Sequence, residues 1–165
     1  MSNTKYILHT IILFAIQLFI LDNIQFHSYV YMNIYILSIL ILPITMKKTS
    51  VLIFAFLAGF LIDIMSNTMG IHAAATTCIG FFRPLFLPNN SGTVEVATNR
   101  RKERFGWVFN YMFSLTLIFN VVLVMTETFS FDNFGITILR ILFSTVVSCV
   151  LMLLYYFIAI KEKQK

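Results

Sequence analysis

The sequence predicts an all-α integral membrane protein, a bundle of six transmembrane helices with both termini in the cytoplasm. Three observations carry that expectation. The 165 residues are 59% hydrophobic and only 12% charged, with a mean hydropathy of +0.86, whereas a soluble domain carries about a quarter charged residues to cover its surface. Six apolar segments follow one another, at Tyr6–Leu21, Tyr29–Thr45, Val51–Met65, Gly70–Leu87, Val108–Met125 and Ile136–Ile160. The connectors between them alternate in charge. The segments show no period-2 alternation and are too long for barrel strands, and satisfying a backbone in lipid then leaves helices.

The first segment follows Lys5 and resembles a signal peptide in its basic start, but L-D-N-I-Q-F-H-S has no small-x-small cleavage pattern, so an uncleaved first helix is expected. The second is followed by Lys47 and Lys48. The third and fourth form a hairpin about the polar turn S-N-T-M-G. Arg100, Arg101, Lys102 and Arg104 then precede the fifth segment, and Lys161, Lys163 and Lys165 follow the sixth. The other connectors hold Asp22, Ser66–Met69, and Glu127 with Asp132, without Lys or Arg. Basic residues gather on the cytoplasmic side of membrane proteins, which sets the orientation. It also accounts for the net charge of +5 by anionic lipid, without nucleic acid.

Several segments fall short of the roughly 20 residues that cross a hydrocarbon core, a deficit that interfacial fraying or local thinning absorbs. One transmembrane domain then consumes residues 1–165. The long connector at residues 88–107 opens as a Pro/Asn/Gly loop and ends in a basic stretch with Trp107, readable as an interfacial anchor or as a docking surface for a cytoplasmic partner. Cys78 and Cys149 lie in apolar runs and read as buried thiols rather than a disulfide.

Ionisable groups inside membrane segments are costly and mark pairing or function. Asp63, His72 and Arg83 sit in the hairpin, and Arg140 lies near the start of the sixth segment. Ala55, Gly59 and Asp63 recur at i, i+4, i+8 and share a helix face, while His72, Thr76, Gly80 and Arg83 form a stripe on the next. Together with Gly70 and Ala73, these small residues predict close antiparallel packing of the two helices. Arg83 is about 16 Å deeper than His72 at 1.5 Å rise per residue, so Asp63 is expected to pair with Arg140 at the outer end. Arg83 is expected either to snorkel to the cytoplasmic interface or to meet a partner helix or lipid-linked ligand. His72 reads as a packed histidine. His9 and His27 read as interfacial, and no ligand spacing predicts a metal or other cofactor.

An enzyme is not expected. Asp22 and Asp63 both lie at outer helix ends, which permits a carboxylate dyad, yet neither has the Asn- and Gly-rich surroundings of lipoprotein signal peptidases. There is no G-x-S-x-G nucleophile, phosphate loop or acidic metal cluster.

The hairpin L-A-G-F-L-I-D-I-M-S-N-T-M-G-I-H-A-A-A-T-T-C-I-G-F-F-R-P resembles the central hairpin of the rod shape-determining membrane protein family MreD, in its Bacteroidota-like form. The resemblance rests on Gly59, Asp63, Ser66, Thr68, Gly70, His72 and Ala73, and on Arg83–Pro84, with I-L-P-I-T and L-D-N-I earlier in the chain. It implies a non-catalytic component of the bacterial inner membrane that works with the bitopic protein MreC. Through it, MreB filaments would be coupled to the peptidoglycan synthases RodA and penicillin-binding protein 2. The family is also similar in fold to the substrate-binding subunits of energy-coupling-factor vitamin transporters, which implies an outer pocket near Asp63, His72 and Arg140. A transporter subunit of that class is the rival reading, since Ala73–Ala75 resembles the small-residue patch on which such subunits dock.

Overall fold

A computed structural model describes residues 3–22, 31–44, 46–87, 104–128 and 134–161. Every regular element among them is helical. Helix α1 (Asn3–Ile16) widens into a π-helical turn at Gln17–Leu21, followed by α2 (Ile36–Leu40), α3 (Lys48–Ser66), α4 (Ile71–Phe86), α5 (Arg104–Thr128) and α6 (Phe134–Tyr155), the last ending in a second π-helical turn at Tyr156–Lys161. Three helical stretches are long and apolar enough to cross a membrane, at Lys48–Ser66, Gly106–Glu127 and Gly135–Ala159. Among the described residues the regular structure is thus all helical, with three helices that could span a membrane. The basic residues Arg100, Arg101 and Lys102, together with His27 and Asp132, lie outside the described residues.

The second apolar segment departs from expectation. In place of one helix over Tyr29–Thr45, the described part is helical only at Ile36–Leu40, with irregular backbone on both sides. The reason lies in its neighbours, whose side chains take the backbone groups that a helix would pair internally. Ser144 Oγ accepts the Tyr31 amide at 2.9 Å, Ser148 Oγ accepts that of Asn33 at 3.0 Å, and Gln17 Oε1 accepts that of Ile34 at 2.9 Å. Pro43 then lacks the N–H that further helix would need. The broken segment is the centre of the molecule: Tyr35, Ile36, Leu37, Ser38 and Ile39 are fully buried. Around it stand α1, α3, α4, α5 and α6.

The segment also runs from one end of the bundle to the other. Tyr35 meets His72 at the start of α4, and Leu42 meets Arg83 near its end, about 16 Å further along that helix. Helix α1 runs beside α6 in the opposite sense, because Gln17 reaches the Tyr31 end while His9 Nδ1 and the Tyr155 hydroxyl bond at 2.9 Å at the other.

Helices α3 and α4 make the closest pair. Asn67 ends α3 in the left-handed region at φ 55°, and Gly70 starts α4 at φ 83°. Asn tolerates that region and Gly adopts it freely, so the turn is short. Ala55 and Gly80 then face each other, and Gly59 lies against Thr76, His72 and Ala73. Gly70 makes no such contact. Its role is conformational, with open space where a Cβ would stand.

The outward faces are apolar. Ile53, Phe56, Leu57, Phe60, Leu61 and Ile64 of α3 are exposed, as are Leu139, Leu142, Phe143, Val146, Val150 and Leu154 of α6. Polar groups lie inside: His9, Gln17, Asn33, Asp63, Arg83, Asn120 and Ser148 are all buried. A surface this apolar suits a lipid environment.

Gly59→Ala should destabilise the protein by about 1–3 kcal/mol, the range for overpacking. The added Cβ would lie 2.5 Å from the His72 carbonyl oxygen and 2.6 Å from the Ala73 Cα, and backbone atoms have little room to retreat. Gly106→Ala, where a Cβ meets nothing within 4 Å, is the matched control and should be neutral or slightly stabilising. Thermal unfolding in a single detergent distinguishes the two.

Candidate functional site

Asp63 ends up serving α4 rather than an ion pair. It sits in the last turn of α3, 3% exposed, and its carboxylate reaches across the turn to the first turn of the next helix. Oδ1 accepts the Thr68 hydroxyl at 2.5 Å and the His72 amide at 3.0 Å, while Oδ2 accepts the Ala73 amide at 2.8 Å. The opening amides of a helix lack intrahelical partners and carry the positive end of its dipole. A carboxylate there satisfies both needs. The Asp63 backbone carbonyl also accepts the Thr68 amide at 2.9 Å, so one residue holds the hairpin by main chain and side chain together.

The expected Asp63–Arg140 pair is therefore not formed. Arg140 instead donates from Nη2 to the Tyr31 hydroxyl at 2.6 Å and lies 3.6 Å from Glu127 Oε2. Its guanidinium carbon is 4.8 Å from the centre of the Tyr31 ring, within cation–π range. The Tyr31 hydroxyl in turn donates to Glu127. This triad ties the end of α5 and the start of α6 to the beginning of the broken segment. Glu127 and Arg140 flank a short connection, which gives them a nearer route to each other than either has to the hairpin.

Further polar groups collect at the Asp63 end. His72 Nδ1 and the Tyr35 hydroxyl are 3.0 Å apart, with Phe119 completing an aromatic cluster at centroid separations of 6.1 Å from Tyr35 and 6.2 Å from His72. Asp22 accepts from Gln17 Nε2 at 2.7 Å and from the Ser66 hydroxyl at 3.0 Å. Asp22 and Asp63 are thus engaged by different donors. No atom is shared that would make them a dyad.

Arg83 lies at the opposite end and does not snorkel. It is 2% exposed and donates from Nη2 to the Leu42 carbonyl and from Nε to the Tyr111 hydroxyl at 3.1 Å. The Tyr111 hydroxyl in turn donates to the Leu40 carbonyl at 3.1 Å. Trp107 stacks on the Tyr111 ring at 5.2 Å between centroids, so this residue of the basic stretch packs inward over the arginine site. The carbonyls at a helix C-terminus carry partial negative charge, and a guanidinium with several fixed donors suits them. Arg83 is a C-terminal clamp on α2.

A further set of interior residues was flagged by no sequence motif. Gln17 grips the broken segment twice, accepting the Ile34 amide and donating to the Met32 carbonyl at 3.0 Å. Ser148 Oγ accepts from Asn33 and donates to the Tyr31 carbonyl at 3.3 Å. Asn120 Nδ2 donates to the Thr116 carbonyl at 3.1 Å and to Thr145 Oγ1 at 3.2 Å. The available signal was the presence of Gln, Asn and Ser in otherwise apolar runs, which marks interior rather than lipid-facing positions. Among the described residues, no three His, Cys, Asp or Glu side chains converge as a metal site would require.

The fold and these interactions define a class, a helical membrane bundle whose interior polar groups bind its own backbone. Comparison with protein-family models, with curated proteins and with solved structures finds no match to any of them.

Asp63→Ala should cost about 1–3 kcal/mol per buried donor left unsatisfied and speed hydrogen exchange at the His72 and Ala73 amides. Asp63→Asn, which keeps one acceptor, should fall between it and wild type. Reversing both charges, Asp63→Arg with Arg140→Asp, should restore nothing, whereas Glu127→Arg with Arg140→Glu should recover part of each single loss. Thermal unfolding of the four singles and two doubles checks both statements.

Proposed function

We propose that the chain is a non-catalytic scaffold of the bacterial cell-elongation machinery, a multi-pass inner-membrane protein similar to MreD. The observation that carries this reading is the mutual use of the residues on which the resemblance rests. Gly59 gives the close approach, Asp63 caps α4 with help from Thr68, Gly70 makes the turn, and His72 and Ala73 present the amides. These residues act as one structural unit, so the resemblance at this spacing has a physical meaning beyond shared hydrophobicity. The charged groups of the hairpin are also committed to internal bonds, which suits a protein that holds partners in register.

In this reading the chain makes six crossings with both termini cytoplasmic, the second crossing being the broken segment. The end-to-end course of that segment supports the count, and the basic connectors support the orientation. The partners are an MreC-like bitopic protein and, through it, MreB, RodA and penicillin-binding protein 2. One observation favours the vitamin-transporter reading instead: the Tyr35, His72 and Phe119 rings converge at one end of the bundle, as groups lining a ligand pocket would.

Affinity purification of the full chain from its native membrane separates the two. Recovery of an MreC-like protein, with rounding of cells on depletion, is the expected result. Recovery of coupling ATPase subunits in its place would overturn the scaffold reading.

A further inference from the structure

The tight turn between α3 and α4 carries one large apolar side chain, and it points away from the fold: Met69 is 100% exposed. The backbone on both sides of it is fixed. The Thr68 amide donates to the Asp63 carbonyl at 2.9 Å, its hydroxyl donates to Asp63 Oδ1 at 2.5 Å, and the Gly70 amide donates to the Thr68 carbonyl at 3.0 Å. Gly70 then takes φ 83°, a region that glycine adopts freely. The neighbours of Met69 are polar and exposed as well. Ser66 binds Asp22 at 3.0 Å, and Asn67 closes α3 in the left-handed region. Groups of this kind belong at the aqueous surface of a membrane rather than in hydrocarbon, so the turn holds a bare thioether in water.

No other described methionine is placed this way. Met65 is 64% exposed, but it follows Leu61 by one helical turn on the outward apolar face of α3, which suits lipid. Met46 is 41% exposed. Met32 and Met125 are half-buried, and Met112 and Met152 belong to the core.

The chemistry of a thioether makes access the deciding factor. Its sulfur is neutral and carries its lone pairs without help from a neighbouring base, so susceptibility to oxidation follows exposure. We propose that Met69 is a site of reversible oxidation, converted to methionine sulfoxide by hydrogen peroxide at the membrane surface. The sulfur lone pair attacks one peroxide oxygen, and the S–O bond forms as the O–O bond breaks. The displaced hydroxide takes the proton from the new S–OH group and leaves as water. Sulfur gives up two electrons, and the peroxide is reduced. The product is polar and chiral where the side chain was flexible and apolar. None of the bonds that cap α4 uses the Met69 side chain, so the hairpin stays closed when the sulfur is oxidised.

The test treats the full chain in phosphatidylcholine nanodiscs with hydrogen peroxide and localises each added oxygen by tandem mass spectrometry of peptic fragments. Met69 should be oxidised before any other described methionine, with Met112 and Met152 untouched while the chain is folded. Met69→Leu should remove the fastest phase of oxygen uptake, and methionine sulfoxide reductases, one for each epimer, should reverse it in the unsubstituted chain. Hydrogen exchange at the His72 and Ala73 amides should be the same before and after oxidation of Met69. The proposal is overturned if Met65 or Met46 reacts as fast as Met69, or if Met69→Leu keeps the fastest phase. It is also overturned if the reductases leave the sulfoxide in place, or if oxidation speeds exchange at the two amides.

Discussion

Backbone amides and carbonyls inside a lipid-embedded bundle need partners from the protein, because the bilayer core offers none. The second apolar segment is where this constraint bears hardest. It gives up helical pairing over most of its described length and lies at the centre of the molecule. Its free groups are then met one by one: Gln17 at Met32 and Ile34, Ser144 and Ser148 at Tyr31 and Asn33, Tyr111 at Leu40, and Arg83 at Leu42. Each of these side chains would be an expense in an apolar interior by itself. Placed against a broken segment, they become the reason it is tolerated. The rest of the bundle is arranged to deliver them.

This changes the meaning of charge in the molecule. Asp63 and Arg83 are both buried, yet they form no common site: each faces a helix terminus with the complementary partial charge. Asp63 faces the amides that open α4, and Arg83 faces the Leu42 carbonyl just beyond α2 and the Tyr111 hydroxyl. A full charge bound to oriented dipoles of the protein is compensated without an opposite ion. Arg140 is the exception, since it has Glu127 and the Tyr31 ring within reach. The three charges thus belong to three different junctions: the hairpin turn, the end of α2, and the α5–α6 connection.

Much of this was legible in the residues, and the boundary of legibility is physical. The small-residue faces of Ala55, Gly59, Ala73 and Gly80 could be read from spacing, because helix contact depends on a periodicity that sequence displays directly. The separation of Asp63 from Arg83 could be read from rise per residue. The pairing of Asp63 with Arg140 could not, because depth narrows the possible partners without choosing among them. The Asp63 carboxylate had three nearby donors on its own hairpin, and local groups win when they are already oriented. The break in the second segment was hidden for a related reason: Y-M-N-I-Y-I-L-S-I-L is apolar enough for a helix, and its irregular course follows from Ser144, Ser148 and Gln17. The two serines lie 113 and 115 residues away in the chain, and nothing in the segment announces any of the three.

That distance has a consequence for assembly. The α3–α4 hairpin is closed by local contacts, with Asp63 only nine and ten residues from the amides it caps. Short loops cost little entropy to close, so the hairpin is able to form as soon as its two helices exist. The broken segment is bound to residues 113 and 115 positions further along, in α6. Until α6 is in place, the amides of Tyr31 and Asn33 lack the serine hydroxyls that accept them. The Tyr31 and Asn33 amides therefore reach their native acceptors only when α6 is packed against the broken segment.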